Sequence, residues 1–395
     1  MTKNCLICNR SISPFIDFGS MPLGNGFLSG NERHEYFYNL SVAFCQNCHM
    51  VQLMEQPSRE DMFHDHYAFY SSTSRGMSNH FEEFAKDVRR KHNPSFVVEI
   101  GSNDGIMLRH FKDIGHLGVE PSKNVAQVAI DNEINTVSCF FDEKVADRII
   151  SVYGRADVVL AANVMCHISD LHSVIRGIKK LLKPGGVFIF EDPYLGYILQ
   201  KTSYDQIYDE HVFYFTVGSL AYLFESHGME IINVEPQDVH GGSMRYTVAN
   251  KGQHEQSAEV SGTISDEYVG GLYKPYTYQN FRLAIESSRD KLVSLLLSLK
   301  GKGVVGYGAT SKSTTVLNYC NIGPDLIECI YDTTPIKQGK FSPGMRIPIR
   351  PYKEFLANPP DYTVLFAWNH AQEIMAKEKD YKGKWIVYVP EVKIL

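Results

Sequence analysis

The stretch FVVEIGSNDG, residues 96–105, reads as a buried apolar strand that breaks into a glycine-bearing turn. The same punctuation repeats outward from it. LGVEPS (117–122), ADVVLAANV (156–164) and GVFIFED (186–192) are apolar runs, separated by helical segments near 105–114 and 122–132 and by SDLHSVIRGIKKLLKPGG (169–186), an amphipathic helix stopped by Pro and Gly. A helix near 217–228 and strands near 229–250 complete the unit, and residues 78–92 precede it as a helix with Phe81, Phe84, Ala85 and Val88 on one face. Such alternation predicts an α/β fold with a mostly parallel, doubly wound, Rossmann-like sheet. Residues 251–300 read as a helical connection. GKGVVGYGATSKSTTVLNY (301–319) then opens a second, smaller Rossmann-like α/β unit, continued by LIECIYD, DYTVLFAW and KWIVYVP. The expected domains are 1–70, 71–250 and 251–395.

Composition agrees with a globular chain: 395 residues, 44% hydrophobic and 21% charged. A net charge of -6 without a sustained basic run argues against nucleic-acid partners. No stretch reaches the roughly 18 uninterrupted apolar residues of a membrane span, and the first ten residues lack a signal core. The expectation is a cytoplasmic protein with neither a nucleic acid nor a membrane as partner.

Four of the eight cysteines form two CxxC pairs, Cys5/Cys8 and Cys45/Cys48, with 36 residues between them. Two residues between cysteines in a tight turn let both sulfurs approach one tetrahedral ion, so four thiolates predict a closed structural zinc site. A redox CxxC or an iron–sulfur cluster is the competing reading.

A strand ending in EIGSNDG brings small side chains and flexible backbone to the carboxyl edge of a parallel sheet, where ligands of doubly wound folds bind. The GxGxxG spacing that fixes a pyrophosphate is absent, which favours S-adenosylmethionine over a dinucleotide. Gly101, Ser102, Asn103 and Gly105 are candidates for the methionine and ribose portion, with Glu99 at the strand end. Glu120 lies 15 residues after Gly105, placed to accept hydrogen bonds from both ribose hydroxyls, with Pro121 and Ser122 beside it. Asn163 lies at the edge of the fourth strand.

After the fifth strand comes Tyr204-Asp-Gln-Ile-Tyr208-Asp-Glu210-His211-Val-Phe-Tyr-Phe215, crowded with acid and base candidates. His211 is the natural general base, Glu210 a group to orient it, and Tyr208 a donor to a developing oxyanion. A surface loop of chance polar residues is the bland alternative.

Together the cysteine pairs, EIGSNDG, NVMCHISDL, YDQIYDEHVFYF, HGGSMR and GYGATSKSTTVLNY followed by DTTPIKQGKFSPGMRIPI resemble the sugar C-methyltransferases of deoxysugar pathways, over nearly the whole chain. The resemblance implies a zinc-binding module, an adenosylmethionine domain and a carboxyl-terminal domain that helps hold a dTDP- or GDP-linked sugar. It implies methyl transfer to C-3 of a 4-keto-6-deoxy sugar, forming a branched-chain sugar, with His211 as base and Tyr208 and Glu210 as its neighbours. It also implies substrate contacts from Tyr67 or Tyr70, His167, His240, Gly242 and Ser243 of the HGGS turn, and Lys312, whose ammonium faces a diphosphate. A monomer is expected. An O- or N-methyltransferase on a nucleotide sugar, or a non-catalytic nucleotide-sugar binding protein, stays open from sequence.

Overall fold

FVVEI forms strand β1 (Phe96–Ile100) in the interior of a seven-stranded sheet, in the computed structural model that describes residues 3–30, 32, 34–63, 71–73 and 75–395. The other strands are β2 (Gly115–Val119), β3 (Thr136–Val137), β4 (Ala156–Ala162), β5 (Leu182–Pro193), β6 (Met229–Gln237) and β7 (Ser243–Asn250). Their order is β3-β2-β1-β4-β5-β7-β6. The first five are parallel, whereas β7 pairs antiparallel with both β5 and β6. Strand order therefore reverses between β1 and β4, which opens a crevice at their carboxyl ends.

Helices α1 (Arg75–His92), α2 (Lys123–Asp131), α3 (Glu143–Tyr153), α4 (Leu171–Leu181) and α5 (Val217–Glu225) cover the sheet. Phe81, Phe84, Ala85 and Val88 of α1 are all buried, and they pack with Val97, Met107 and Phe111. Burial of each large side chain contributes about 1.5–3 kcal/mol. The helix expected near 105–114 shrinks to a 3-10 turn at Leu108–Phe111. Arg89 of α1 explains part of this: its guanidinium takes the His110 carbonyl, from Nε at 2.9 Å and Nη2 at 2.6 Å, so the chain turns toward β2 there.

Helices α6 (Ala258–Val269) and α7 (Pro275–Ser298) form the predicted connection. Beyond them lie β8 (Val304–Tyr307), α8 (Ser311–Tyr319), β9 (Ile330–Asp332), β10 (Ile349–Pro351), β11 (Tyr362–Leu365), β12 (Lys384–Val387) and β13 (Lys393–Ile394). This second sheet runs β10-β9-β8-β11-β12-β13, parallel up to an antiparallel edge strand. It has its own reversal, between β8 and β11.

The amino-terminal module carries an antiparallel sheet of Pro14–Pro22, Phe37–Phe44 and Val51–Leu53. Its fourth strand comes from far along the chain: Phe213–Tyr214 pairs with Val51–Gln52. The acid–base segment is thus stitched into the cysteine-bearing module. One apolar cluster, with Phe18, Leu40, Ile207, Tyr278, Ile285 and Val316 among its members, joins that module to α7 and α8. Among the described residues no helix is long and apolar enough to cross a membrane.

Candidate active site

The two crevices face each other. The loops after β1 and β4, and those after β8 and β11, line a single cavity of about 560 Å³, with Asn25, Arg59 and Phe63 closing it from the amino-terminal module.

On the donor side, Gly101, Asn103 and Gly105 all have positive φ, at 67°, 50° and 78°. A Cβ on Gly101 would lie 2.3 Å from Val164 Cγ2, so only glycine lets the two loops meet. Each Glu120 oxygen accepts one backbone N–H, from Asn103 at 3.0 Å and Ser122 at 2.8 Å. Burial still raises its pKa, against the pull of those bonds. Gly101, Asn103, Glu120, Pro121 and Asn163 line the cavity. Glu99, Ser102, Gly105 and Ser122 stand behind it. Ser102 packs where a Cβ on Gly118 would fall, Gly105 backs onto Ile134, and Glu99 is buried with its pKa driven up by burial and by Asp104.

Between the two sides of the cavity lies a stack of rings. Phe63, His167 and His211 follow one another at centroid spacings of 5.7 and 5.2 Å, and Tyr208 lies 4.2 Å from His211. The Gln206 carbonyl can only accept, so at 2.8 Å it fixes the proton of His211 on Nδ1. Nε2 therefore carries the lone pair and accepts the Tyr208 hydroxyl at 2.9 Å. Burial, then His167 and Lys312, hold the His211 pKa well below the ordinary imidazole range. Burial alone pulls His167 down to about 4. Tyr208 is driven far up by burial and by Glu210, so its hydroxyl stays a donor. Asn25 Nδ2 donates to Glu210 Oε1 at 2.7 Å, and the Gly24 N–H donates to Asp209 at 2.9 Å.

The opposite wall is cationic. Lys312, one residue into α8, has a buried ammonium without a hydrogen-bond partner among the described residues, 5.1 Å from the Trp368 ring. Its pKa is lowered by burial, opposed by Asp205, whose carboxylate is held by Trp368 at 2.6 Å and Tyr388 at 2.8 Å. Lys337 donates to the Ala309 carbonyl at 2.8 Å. His240 lines the cavity at φ 53°, its pKa drawn down to about 3 mainly by burial. Gly242 and Ser243 do not reach the cavity: Gly242 abuts Tyr197, and Ser243 Oγ donates to the Val239 carbonyl at 3.2 Å. Tyr67 and Tyr70 lie outside the described residues.

Several lining groups escaped the sequence reading. Lys337 sits in DTTPIK, a segment that entered only through the resemblance, and Asn25 in the Pro/Gly-rich MPLGNG (21–26) between the two cysteine pairs. Phe140, Phe141 and Asp142, just after β3, have no motif of their own; Arg59 lies over the Phe140 ring at 4.4 Å.

The cysteines meet as predicted. Cys5 Sγ lies 3.5 Å from Cys48 Sγ, and Cys8 Sγ lies 3.4 Å from Cys45 Sγ. All four fall within 4.8 Å of one another, close to the roughly 3.8 Å edge of a tetrahedral zinc–thiolate site. Each pair folds the same way: the N–H groups of Asn9 and His49 donate to the Cys5 and Cys45 carbonyls, both at 2.9 Å, and both residues have positive φ.

A seven-stranded sheet of this order, with a glycine turn in place of a dinucleotide loop, defines a methyltransferase frame. Family models match in three consecutive blocks: "Putative zinc binding domain" at 5–63, "Methyltransferase domain" at 63–234 and "C-methyltransferase C-terminal domain" at 238–390. C-methyltransferase NovU of Streptomyces niveus is 34% identical over an alignment of 405 residues, spanning 99% of this chain and 96% of NovU. The chain belongs to the S-adenosylmethionine-dependent C-methyltransferase family. Its methyl donor is S-adenosylmethionine, and the four-cysteine cluster is its structural zinc site. Phosphoethanolamine N-methyltransferase 1 of Triticum aestivum is 33% identical over 95 residues, 24% of this chain and 19% of that protein. A solved S-adenosylmethionine-dependent methyltransferase from Clostridium acetobutylicum ATCC 824 aligns with 44% of this chain and 92% of its own, at 11% identity and a TM-score of 0.35.

Proposed function

We propose that this enzyme methylates C-3 of a nucleoside-diphosphate-linked 4-keto-6-deoxy sugar. The observation that carries the reading is the shared cavity: a neutral imidazole stands between a donor loop on one sheet and a cationic wall on the other. Bound S-adenosylmethionine supplies an electrophilic methyl group on a sulfonium. A ketone at C-4 acidifies the neighbouring C-3 proton. His211 Nε2 takes that proton, the C–H electron pair becomes the enolate, and C-3 then takes the methyl carbon as its bond to sulfur breaks, the pair staying on sulfur and S-adenosylhomocysteine leaving. Tyr208 has two uses in this scheme. Its hydroxyl holds Nε2 in the resting site, and by turning to the C-4 oxygen it both frees the lone pair and stabilises the oxyanion.

Glu120 receives the donor ribose, with Gly101, Asn103, Pro121 and Asn163 around it; Glu99, Ser102, Gly105 and Ser122 act from behind by holding the loop shape. His167 and His240 face the sugar, Gly242 and Ser243 support His240, and Lys312 neutralises the diphosphate. Residues 1–70, 71–250 and 251–395 divide these tasks as zinc module, donor domain and substrate domain. One chain supplies every wall, so the proposed working unit is a monomer. Carbon NMR of the product tests the reading: a new methyl carbon bonded to C-3 supports it, whereas a methyl on oxygen or nitrogen overturns it.

A further inference from the structure

The 3-10 turn Met165–His167, directly after β4, brings a thiol beside two imidazoles. Ligand atoms of Cys166, His167 and His211 all lie within 4.8 Å of one another, and this set is separate from the four-cysteine cluster. Cys166 and His211 are 2% and 5% exposed, so water competes poorly for them. His167 Nε2 is buried with no hydrogen-bond partner among the described residues. The lone pair of His211 Nε2 points away from the Gln206 carbonyl, and among the described residues the Tyr208 hydroxyl alone occupies it. At the end of β5, Asp192 adjoins the Cys166 thiol, its carboxyl pushed up to about 7 by burial.

We propose that Cys166, His167 and His211 form a second metal site, for a borderline divalent cation such as zinc, and that filling it switches the enzyme off by capping the base. One thiolate, two imidazoles and a water complete a tetrahedron of the open kind. A tetrahedral zinc needs sulfur–nitrogen separations of about 3.5 Å, so separations that now reach up to 4.8 Å must shorten by at most roughly 1.3 Å. The Cys166 S–H bond breaks as the sulfur–metal bond forms, and Asp192 accepts the proton before it passes to solvent. Magnesium and calcium prefer oxygen ligands and have no hold on this set. The four-cysteine cluster is closed, whereas His167 and His211 of this triad line the cavity with Cys166 buried beside them, so metal and ketosugar exclude each other.

Metal occupancy stands on the geometry alone; the inhibitory consequence rests on the proposed role of His211. The experiment separates the two. Zinc-loaded full-length protein is equilibrated with micromolar zinc and analysed for metal, and methyl transfer to a thymidine-diphosphate-linked 4-keto-6-deoxy sugar is followed in parallel. About two zinc ions per chain are expected in the wild type and about one in Cys166→Ser and His167→Asn, the remaining ion confirming that both variants are folded. Turnover should fall with added zinc, not with magnesium, and Cys166→Ser should need at least about 100-fold more zinc for the same loss. One zinc per chain in the wild type, or two retained in both variants, overturns the site. A second zinc that binds without slowing turnover overturns the switch and, with it, His211 as base.

Discussion

Replacing Lys312 by Met separates function from stability, because the two should move in opposite directions. The wild-type ammonium is buried, unpartnered by hydrogen bonds among the described residues and 5.1 Å from the Trp368 ring, while Asp205 Oδ2 is already held by Trp368 and Tyr388. Burial outweighs the attraction of Asp205, since the Lys312 pKa is lowered rather than raised. A methionine of similar length fills the space without the charge, so the free protein should gain roughly 1–3 kcal/mol, the usual penalty of an unmatched buried group. Its melting temperature should therefore rise by a few degrees. A charge-assisted hydrogen bond to a diphosphate contributes about 1.5–3 kcal/mol, so KM for the sugar nucleotide should rise roughly 10- to 150-fold, with adenosylmethionine affinity unchanged. Scanning calorimetry and steady-state kinetics measure the two effects. A lower melting temperature with unchanged KM would make Lys312 a structural residue and refute the reasoning.

Gly101→Ala should abolish donor binding: its Cβ meets Val164 Cγ2 at 2.3 Å and its φ is 67°, together costing roughly 2–5 kcal/mol. Gly185→Ala, at φ 75° with nothing within 4 Å, is the control, and adenosylmethionine calorimetry that cannot tell the two apart contradicts the loop's role. Stripping zinc should remove on the order of 10 kcal/mol from the amino-terminal module and, through the pairing of Phe213–Tyr214 with Val51–Gln52, loosen the acid–base segment. Hydrogen exchange that stays slow at 204–215 after chelation speaks against this coupling. Burial lowers the His211 pKa and the base acts unprotonated, so kcat/KM should hold as pH falls through about 6.5 and decline only below it. An acid limb at or above that pH contradicts the assignment.

How far the chain could be read in advance follows from what each signal encodes. Apolar runs with glycine turns are local, so VVEIGSNDG and GVVGYGATSKS each announced a strand and a turn, and the cysteine spacing announced its metal. Gly242 and Ser243 resemble ligand-contacting residues in sequence, yet the turn they make points His240 inward instead. Contacts across long separations had no local mark. Asn25 meets Glu210 across 185 residues, the strand at Phe213–Tyr214 joins a sheet built from residues 14–53, and Lys337 reaches the Ala309 carbonyl from a turn after β9. The helix expected near 105–114 failed for a similar reason, as Arg89 claims the His110 carbonyl from a different helix.

Solvent exchange at C-3 tests the central claim most directly. A nucleoside-diphosphate-linked 4-keto-6-deoxy sugar is incubated with the enzyme in deuterium oxide, with S-adenosylhomocysteine in place of the methyl donor. The wild type should place deuterium at C-3, and His211→Asn, with donor affinity intact, should place none. Exchange by His211→Asn at the wild-type rate would contradict the account.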